Sequence, residues 1–279
     1  MLEVKNLSFD YSKKNLFDDL NLKVQPGLYG LLGKNGAGKT TLLKLMSGEL
    51  FPQGGECLTM GFEASKRIPE MLSEIYYLPE EFDLPSMTGS QYVDSYSPFY
   101  PKFSMDFFKK CAEEFEIYPG SKLGSMSYGQ RKKFMISFGL ATWSSILLLD
   151  EPTNGLDIPS KSQFRRLAAA GASDERIILI STHQVRDMEN LIDPIVIVEE
   201  GKIIFNHSME EISESISFLL DDSEPSGEDV LYYEKVLGGY LTAYSRKESD
   251  SRAVDLEFLF NMAVAKGRGL NEIINGGVK

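Results

Sequence analysis

The sequence has few cysteines, histidines and positive charges. Its 279 residues include two cysteines, two histidines and one tryptophan. Cys57 and Cys111 lie far apart, in no metal-like spacing, which favours reduced thiols over a disulfide or a metal cluster. Lys and Arg total 29 against 41 Asp and Glu, a net charge of −12. Because phosphate backbones select clustered Lys and Arg, nucleic acid is not the expected partner.

Long hydrophobic runs are missing as well. The N-terminal residues 1–14 carry early charges and no apolar core of a signal peptide. The strongest apolar runs, 144–150 and 193–200, are far too short to cross a bilayer. If this protein works at a membrane, another chain must supply the spanning part. The chain is 42% hydrophobic and 25% charged, which is typical of a soluble protein with a substantial core.

Buried apolar strands alternate with helices along most of the chain. The predicted strands are 2–11, 19–24, 27–33, 74–79, 146–150, 176–182 and a hairpin over 195–206. The predicted helices are 41–48, 130–144, 160–173 and 185–192, together with an aromatic-rich helical stretch over about 79–117 that is broken near Pro98 and Pro101. This rhythm indicates a largely parallel sheet covered on both faces. After residue 207, strands at 216–220, 230–236 and 239–246, an acidic loop at 221–229 and a helix near 255–267 indicate a small C-terminal α/β lobe.

One glycine-rich segment matches G-x-x-x-x-G-K-[ST] between an apolar strand and a helix. It consists of Gly33, Lys34, Asn35, Gly36, Ala37, Gly38, Lys39 and Thr40. In this context the glycines let backbone N–H groups wrap a β-phosphate at a helix N-terminus. Lys39 can reach the β- and γ-phosphates, and the Thr40 hydroxyl suits Mg²⁺. The alternative is a chance glycine turn. The motif alone indicates a nucleoside triphosphate, as kinases, GTPases, motors and transport ATPases all use it.

Two acids follow an apolar strand further along the chain. Ligands of an open parallel sheet gather at the carboxyl ends of its strands, so Asp150 is well placed to hold Mg²⁺ through water. Glu151 is placed to orient or deprotonate an attacking water. His183 ends another apolar strand, which favours a γ-phosphate contact. Solvated strand-end acids and an ordinary surface histidine are the alternatives.

Four motifs in this order resemble those of the nucleotide-binding subunit of an ATP-binding cassette (ABC) transporter. They are "GKNGAGKTT", "MSYGQRKK", "ILLLDEPTNGLD" and "STHQ". The resemblance covers about residues 1–206, with a helical subdomain at about 80–125, and leaves 207–279 as a small lobe of unknown role. It implies a P-loop NTPase α/β fold with a mostly parallel core sheet, an antiparallel β subdomain, an inserted α-helical subdomain and a C-terminal α/β lobe.

The resemblance also implies roles for individual residues. Tyr11 would stack on adenine, unless it is a simple strand-end tyrosine, and Thr41 would complete the ATP-binding loop. Ser127, Gly129, Gln130 and Asp157 would touch ATP held by a second subunit. Two positions depart from the family pattern. Glu80 stands where the family has glutamine, and it is assigned to the metal with Thr40 and Asp150. Tyr128 replaces the first glycine of the family's signature sequence, which is the segment "MSYGQ" in this chain. The tyrosine Cβ restricts φ and its ring adds bulk.

One P-loop and one signature in a chain imply a partner. In this family the P-loop and the signature of one chain belong to different composite sites. The resemblance therefore implies a dimer of ATP-binding subunits, with a homodimer as the first choice, that holds ATP and Mg²⁺. This dimer would drive an integral membrane permease from the cytoplasmic face. Tyr92, Tyr96, Phe99 and Tyr100 would offer a site for that permease, or else form subdomain core.

Two other classes of protein remain open. A soluble cassette ATPase that remodels ribosomes or DNA typically has two cassettes or a coiled-coil insertion, and a P-loop kinase would not explain all four motifs together.

Overall fold

The computed structural model of the protein describes residues 1–11, 14–245, 251–267 and 269–276. A six-stranded sheet forms its centre, in the order β10-β9-β3-β8-β7-β6. These strands are β3 (Gly27–Leu32), β6 (Ile75–Leu78), β7 (Ile146–Asp150), β8 (Ile177–Thr182), β9 (Ile195–Glu199) and β10 (Lys202–His207). All neighbours pair in parallel except β9 and β10. The predicted, largely parallel core sheet is confirmed.

The central strands are buried on both faces, and their residues alternate between two hydrophobic clusters. On β7, Leu147 and Leu149 belong to one cluster, whereas Ile146 and Leu148 belong to the other. This alternation follows from the two-residue period of a strand. It explains why the strand is a continuous apolar run in the sequence.

An antiparallel sheet covers one face of the central sheet, with a helix between them. Its order is β2-β1-β4-β5. The strands are β1 (Leu2–Tyr11), β2 (Lys14–Val24), β4 (Gly54–Thr59) and β5 (Phe62–Glu63), and the helix is α1 (Lys39–Ser47). Leu42, Leu45 and Met46 of α1 share one hydrophobic cluster with both sheets. A short helix, α2 (Pro69–Leu72), precedes β6.

Helices cover the other face. They are α3 (Gly89–Tyr96), α4 (Met105–Glu114), α5 (Tyr128–Ala141) and α6 (Ile158–Ala170), with single 3-10 turns at Ser97–Phe99 and Leu123–Ser125. Tyr92 is buried edge-on against Phe134 and Phe138 of α5. In contrast, Phe99 is 67% exposed. The aromatic-rich stretch therefore buries some of its side chains, such as Tyr92, in the core and leaves others, such as Phe99, exposed at the surface.

The prediction of a helix over 185–192 was wrong. Only a 3-10 turn forms, at Val185–Met188. Glu189 leaves the helical region, with φ of −54° and ψ of 136°, and Asn190 takes a left-handed φ of 61°. Met188 and Ile192 are nevertheless buried, because the chain must pack both while turning into β9. The apolar residues at 188 and 192 have the spacing of a helix, but here they are buried by an irregular segment.

The C-terminal part contains α7 (Met209–Ser215), a three-stranded antiparallel sheet, α8 (Leu256–Lys266) and α9 (Gly269–Gly276). The sheet, in the order β11-β13-β12, consists of β11 (Ser217–Asp221), β12 (Val230–Val236) and β13 (Gly239–Tyr244). Residue 246, the last of the predicted strand 239–246, lies outside the described residues. Phe218 and Phe258 belong to the same hydrophobic cluster as the central sheet. The C-terminal part is thus packed onto the core.

Both cysteines are free thiols buried in the core, as predicted. Burial raises the pKa of Cys57 and that of Cys111 to about 12. None of the helices in the described part of the chain combines the length and apolar character needed to cross a bilayer.

A buried arginine joins the ends of two helices. The Arg176 guanidinium donates to the carbonyl oxygens of Ser144 (2.9 Å), Gly139 (3.3 Å), Leu140 (3.1 Å) and Gly171 (3.0 Å). These are carbonyls in the last turns of α5 and α6 and in the segment beyond α5, which lack helical partners. Desolvation lowers the pKa of Arg176 to about 10, so the guanidinium remains charged at neutral pH.

Arg176→Met should destabilise the fold strongly, because it removes the charged donor that four carbonyls near the helix ends share. We expect a loss of about 3 kcal/mol in the free energy of unfolding, measured from the urea midpoint. Arg166→Met is the matched control, as that side chain is exposed and its ion pair with Glu114 should contribute less than about 1 kcal/mol. Equal losses in the two variants would contradict a structural role for Arg176.

Candidate active site

The glycine-rich loop lies between β3 and α1, where backbone geometry demands glycine. Gly36 and Gly38 have φ of +81° and +109°. A Cβ at Gly38 would also lie 2.7 Å from the Phe17 ring, and one at Gly33 would lie 2.5 Å from the carbonyl oxygen of Val198. The loop is therefore held close to its neighbours, and it ends at the N-terminus of α1, where N–H groups lack helical partners.

Lys39 folds back over this loop. Its ammonium donates to the carbonyl oxygen of Gly33 at 2.7 Å and lies 3.7 Å from the Glu151 carboxylate. Both side chains are only 6% exposed. Burial lowers the pKa of Lys39, while Glu151 and Asp150 raise it. A buried ammonium at this position can exchange its bonds with the loop carbonyls of Gly33 and Lys34 for bonds to phosphate oxygens.

An open cleft of about 610 Å³ lies in front of the loop. Its lining is Tyr11, Leu16, Asn35, Gly36, Gly38, Lys39, Thr40, Thr41, Glu80, Glu151, Asn154 and His183. Most of the residues assigned from the sequence to ATP or catalysis thus meet in one place. The Lys34 side chain instead pairs with Glu199 at 2.9 Å, beside a neighbouring depression that also contains Ala37. Lys34 therefore contributes its backbone to the glycine-rich loop, while its side chain points to Glu199.

Asp150 is fully buried at the end of β7. Parallel pairing places it opposite Ser181 of β8, whose hydroxyl donates to the Asp150 carboxylate. The hydroxyl of Tyr77 on β6 also reaches this carboxylate, at 3.5 Å. Burial, with Asp150 next in effect, raises the pKa of Tyr77 far above its usual range, so its hydroxyl keeps its proton. Sequence reasoning missed Ser181 and Tyr77, although Ser181 begins the motif "STHQ".

Glu151 is held by strained backbone and by His183. Its φ of +46° is left-handed, a conformation that persists in non-glycine residues when the surroundings impose it. Its Oε1 atom accepts the backbone N–H of His183 at 3.0 Å and contacts Nδ1 of the same residue at 2.8 Å. Since a carboxylate only accepts, Nδ1 must carry the proton in this contact, which leaves Nε2 available.

The oxygen donors near the loop fit Mg²⁺. Asp150 lies buried behind the cleft, while Thr40 and Glu80 line it. Mg²⁺ prefers such hard oxygen ligands and takes only one or two carboxylates, with phosphates and waters completing its shell. The described residues contain no group of three or more His, Cys, Asp or Glu that could hold a metal ion by themselves.

The signature residues lie outside the cleft of their own chain. Ser127 caps α5: its hydroxyl accepts the N–H of Gln130 at 3.3 Å, and the Gln130 side chain accepts the N–H of Ser127 at 3.0 Å. Ser127 and Gln130 are exposed, and Gly129 is half-buried. Asp157 caps α6, and its bonds with Ser160 lower the pKa of its carboxyl. None of the four is part of the cleft lining.

Tyr128 has partners that the sequence did not indicate. Its hydroxyl donates to the carbonyl oxygen of Glu80 at 2.7 Å, and its ring stacks on Phe82. Lys132, fully buried one turn along α5, donates to the same carbonyl at 3.1 Å. The bulk at this signature position thus packs against the segment that follows β6.

Ser181→Ala should weaken metal-dependent chemistry, because it removes a hydrogen bond that fixes Asp150. We expect Mg²⁺-dependent ATP hydrolysis to fall by about tenfold, with nucleotide affinity in EDTA unchanged. Ser137→Ala is the control: this buried hydroxyl donates within its own helix, to the carbonyl oxygen of Lys133 at 2.8 Å. An equal loss in both variants would point to general destabilisation.

Comparisons with known proteins agree with this geometry. The family model described as ABC transporter matches residues 17–154. ABC transporter ATP-binding protein YtrB of Bacillus subtilis (strain 168) is 29% identical over 219 residues, 77% of this chain and 74% of that protein. Bacitracin transport ATP-binding protein BcrA of Bacillus licheniformis is 28% identical over 262 residues, 88% and 85% of the two chains.

Solved structures share the fold. One described as the ATP binding subunit of an ABC transporter has a TM-score of 0.69 at 25% identity, covering 76% of this chain and 91% of its own. The dimeric ABC transporter cassette MJ0796, solved also in a post-hydrolysis state with ADP and Pi, has a TM-score of 0.64 at 19% identity, covering 75% and 98%. These likenesses support an ATP-binding subunit of the ABC transporter type.

Proposed function

We propose that this chain is the motor subunit of a transporter, in which two copies enclose two MgATP molecules and drive a separate integral membrane subunit. The observation that carries the proposal is the separation of the signature from the cleft. Lys39, Glu151 and His183 line the cleft, whereas Ser127 and Gln130 are exposed outside it. A second copy, placed head to tail, would bring its signature onto the open side of the cleft.

The exposed surface around the signature supports a contact between copies. Ile158, next to Asp157, is 84% exposed although it is a large apolar residue. Ser127 accepts a bond from Gln130, so its O–H remains able to donate to a phosphate. The N-terminus of α5 adds a positive helix dipole that favours an anion. These groups suit the γ-phosphate of ATP held by a partner.

In the proposed reaction, the chain's own residues hold the phosphates and activate water. Lys39 exchanges its bond with Gly33 for phosphate oxygens, which it can stabilise as charge develops. Glu151 orients and deprotonates the attacking water, and His183 holds the carboxylate through Nδ1 while Nε2 meets the γ-phosphate region. Thr40, Asp150 and Glu80 would hold Mg²⁺, which when bound neutralises phosphate charge. Tyr11, exposed at the cleft edge, would stack on adenine.

The energy for movement comes from closing the dimer around ATP. Each triphosphate would bridge Lys39 of one copy and Ser127 of the other, so closure is favoured only while the γ-phosphate links them. Hydrolysis removes that link and shifts the population back to the open state. One chemical step at the cleft is thus converted into a rigid-body motion.

A second groove offers the contact with the membrane subunit. It has a volume of about 730 Å³, and its lining includes Arg67, Tyr77, Pro98, Phe99, Tyr100 and Pro101. It lies between the helical segment and the central sheet, where a short helix of a partner would fit. Relatives described as bacitracin and lantibiotic transport ATP-binding proteins agree with a transport role. The chain would then lie at the cytoplasmic face of the membrane.

Glu151→Gln should trap the ATP-bound dimer, because the amide cannot deprotonate water but still fills the same space. Adding ATP should lower the dimer dissociation constant by at least about tenfold, or about 1.4 kcal/mol, measured by analytical ultracentrifugation. The same variant with Ser127→Arg should bind ATP and stay monomeric. A Glu151→Gln protein that remains monomeric with ATP, both alone and with its membrane partner, would disprove the composite site.

Phe99→Glu should release the membrane subunit while leaving ATP binding intact. An exposed aromatic in a groove is a candidate hot spot, and its loss should weaken the complex by about 30-fold. The measurement is copurification of a polytopic membrane protein in detergent, with Phe62→Glu, an exposed phenylalanine that does not line the groove, as control. If wild type instead copurifies with ribosomes or another soluble complex, the transport proposal fails.

A further inference from the structure

Two side chains of α5 converge on one backbone oxygen. The carbonyl of Glu80 accepts the Tyr128 hydroxyl at 2.7 Å and the Lys132 ammonium at 3.1 Å. The two donors are four residues apart on the helix and lie 3.5 Å from each other. Lys132 is fully buried, so its charge is directed at this oxygen with little competition from water.

The side chain of Glu80 is held from the other direction. Its Oε1 accepts the Asn154 side-chain N–H at 2.6 Å, and both residues line the cleft with Glu151. The next residue, Gly155, packs so closely that a Cβ there would lie 2.9 Å from the Tyr128 ring. Tyr128 thus contacts both segments that determine where this carboxylate stands.

We propose that Tyr128 and Lys132 are positioning residues that hold the Glu80 carboxylate at the metal site. The inference rests on the proposed function, in which Glu80 is a Mg²⁺ ligand. By anchoring its carbonyl, the two donors fix the Cα of Glu80 and hence the reach of its side chain. Groups that orient a metal ligand in this way change metal affinity without touching the metal.

The charge of Lys132 serves the same end. Glu80 adds a carboxylate to a site that already contains Asp150 and Glu151 and must receive a triphosphate. A buried ammonium directly behind Glu80 offsets that added negative charge at short range, where the surroundings screen it weakly. Tyr128 alone would position Glu80 without offsetting the negative charge of its carboxylate, so the two donors contribute differently.

The test compares binding of Mn²⁺, used in place of Mg²⁺, to wild type, Tyr128→Phe, Lys132→Met and Glu80→Ala. Free Mn²⁺ is measured by electron paramagnetic resonance with ADP stoichiometric to protein, and ADP affinity is measured separately in EDTA. Tyr128→Phe, which removes one hydrogen bond and keeps the ring on Phe82, should weaken Mn²⁺ binding about fivefold. Lys132→Met should weaken it more than tenfold. ADP affinity in EDTA should not change. Tyr118→Phe, an exposed tyrosine, is the matched control and should match wild type.

The double variant Tyr128→Phe with Glu80→Ala decides the mechanism. If Tyr128 acts through Glu80, its substitution has no further effect once the carboxylate is gone, so the two changes are strongly non-additive. Additive losses of Mn²⁺ affinity, or a Tyr128→Phe protein that binds Mn²⁺ like wild type, would overturn the proposal. Normal Mn²⁺ binding by Glu80→Ala would instead reject Glu80 as a ligand, and a failure of Glu151→Gln to dimerise would reject the composite site.

Discussion

Two buried carboxylates, Asp150 and Glu151, stand beside the loop that must receive a triphosphate, and the site depends on how the chain compensates their charge. Lys39 lies 3.7 Å from Glu151, and hydroxyls of Ser181 and Tyr77 reach Asp150. Unpaired, such carboxylates would be costly to bury and would repel the substrate. Because Ser181 and Tyr77 come from neighbouring strands and Lys39 from the loop, the strand order of the central sheet is a requirement of the chemistry.

The parallel register converts distant sequence positions into one site. Leu32, the last residue before the loop, lies opposite Thr182, and Asp150 lies opposite Ser181. The residue that follows each of β3, β7 and β8 therefore emerges at the same edge: Gly33, Glu151 and His183. The two hydrophobic clusters on either face keep these strands in place, since a shift of one residue would exchange the faces of every buried side chain.

Sequence reasoning could predict the parts of this site that are encoded by a pattern of a few neighbouring residues. The glycine-rich loop, the strand-end acids and the alternation of strands and helices each leave a pattern within a few residues. The Tyr128 bond to Glu80 joins positions 48 residues apart, and it depends on packing that no short pattern encodes. The same holds for the four carbonyls bound by Arg176. Helix α9 was also missed; its Asn271 side chain donates to the carbonyl oxygen of Ile204 on β10, a contact between residues far apart in the sequence.

The departure of Tyr128 from the family pattern gains a physical meaning from these contacts. Ser127, the residue before it, is exposed, while its own hydroxyl reaches back to Glu80 in the cleft of the same chain. A glycine here would leave α5 and the Glu80 segment without this bond. With tyrosine, any displacement of the start of α5 by a bound partner must be transmitted to Glu80 or break a 2.7 Å hydrogen bond. While this bond is intact, the start of α5 and the Glu80 segment move together.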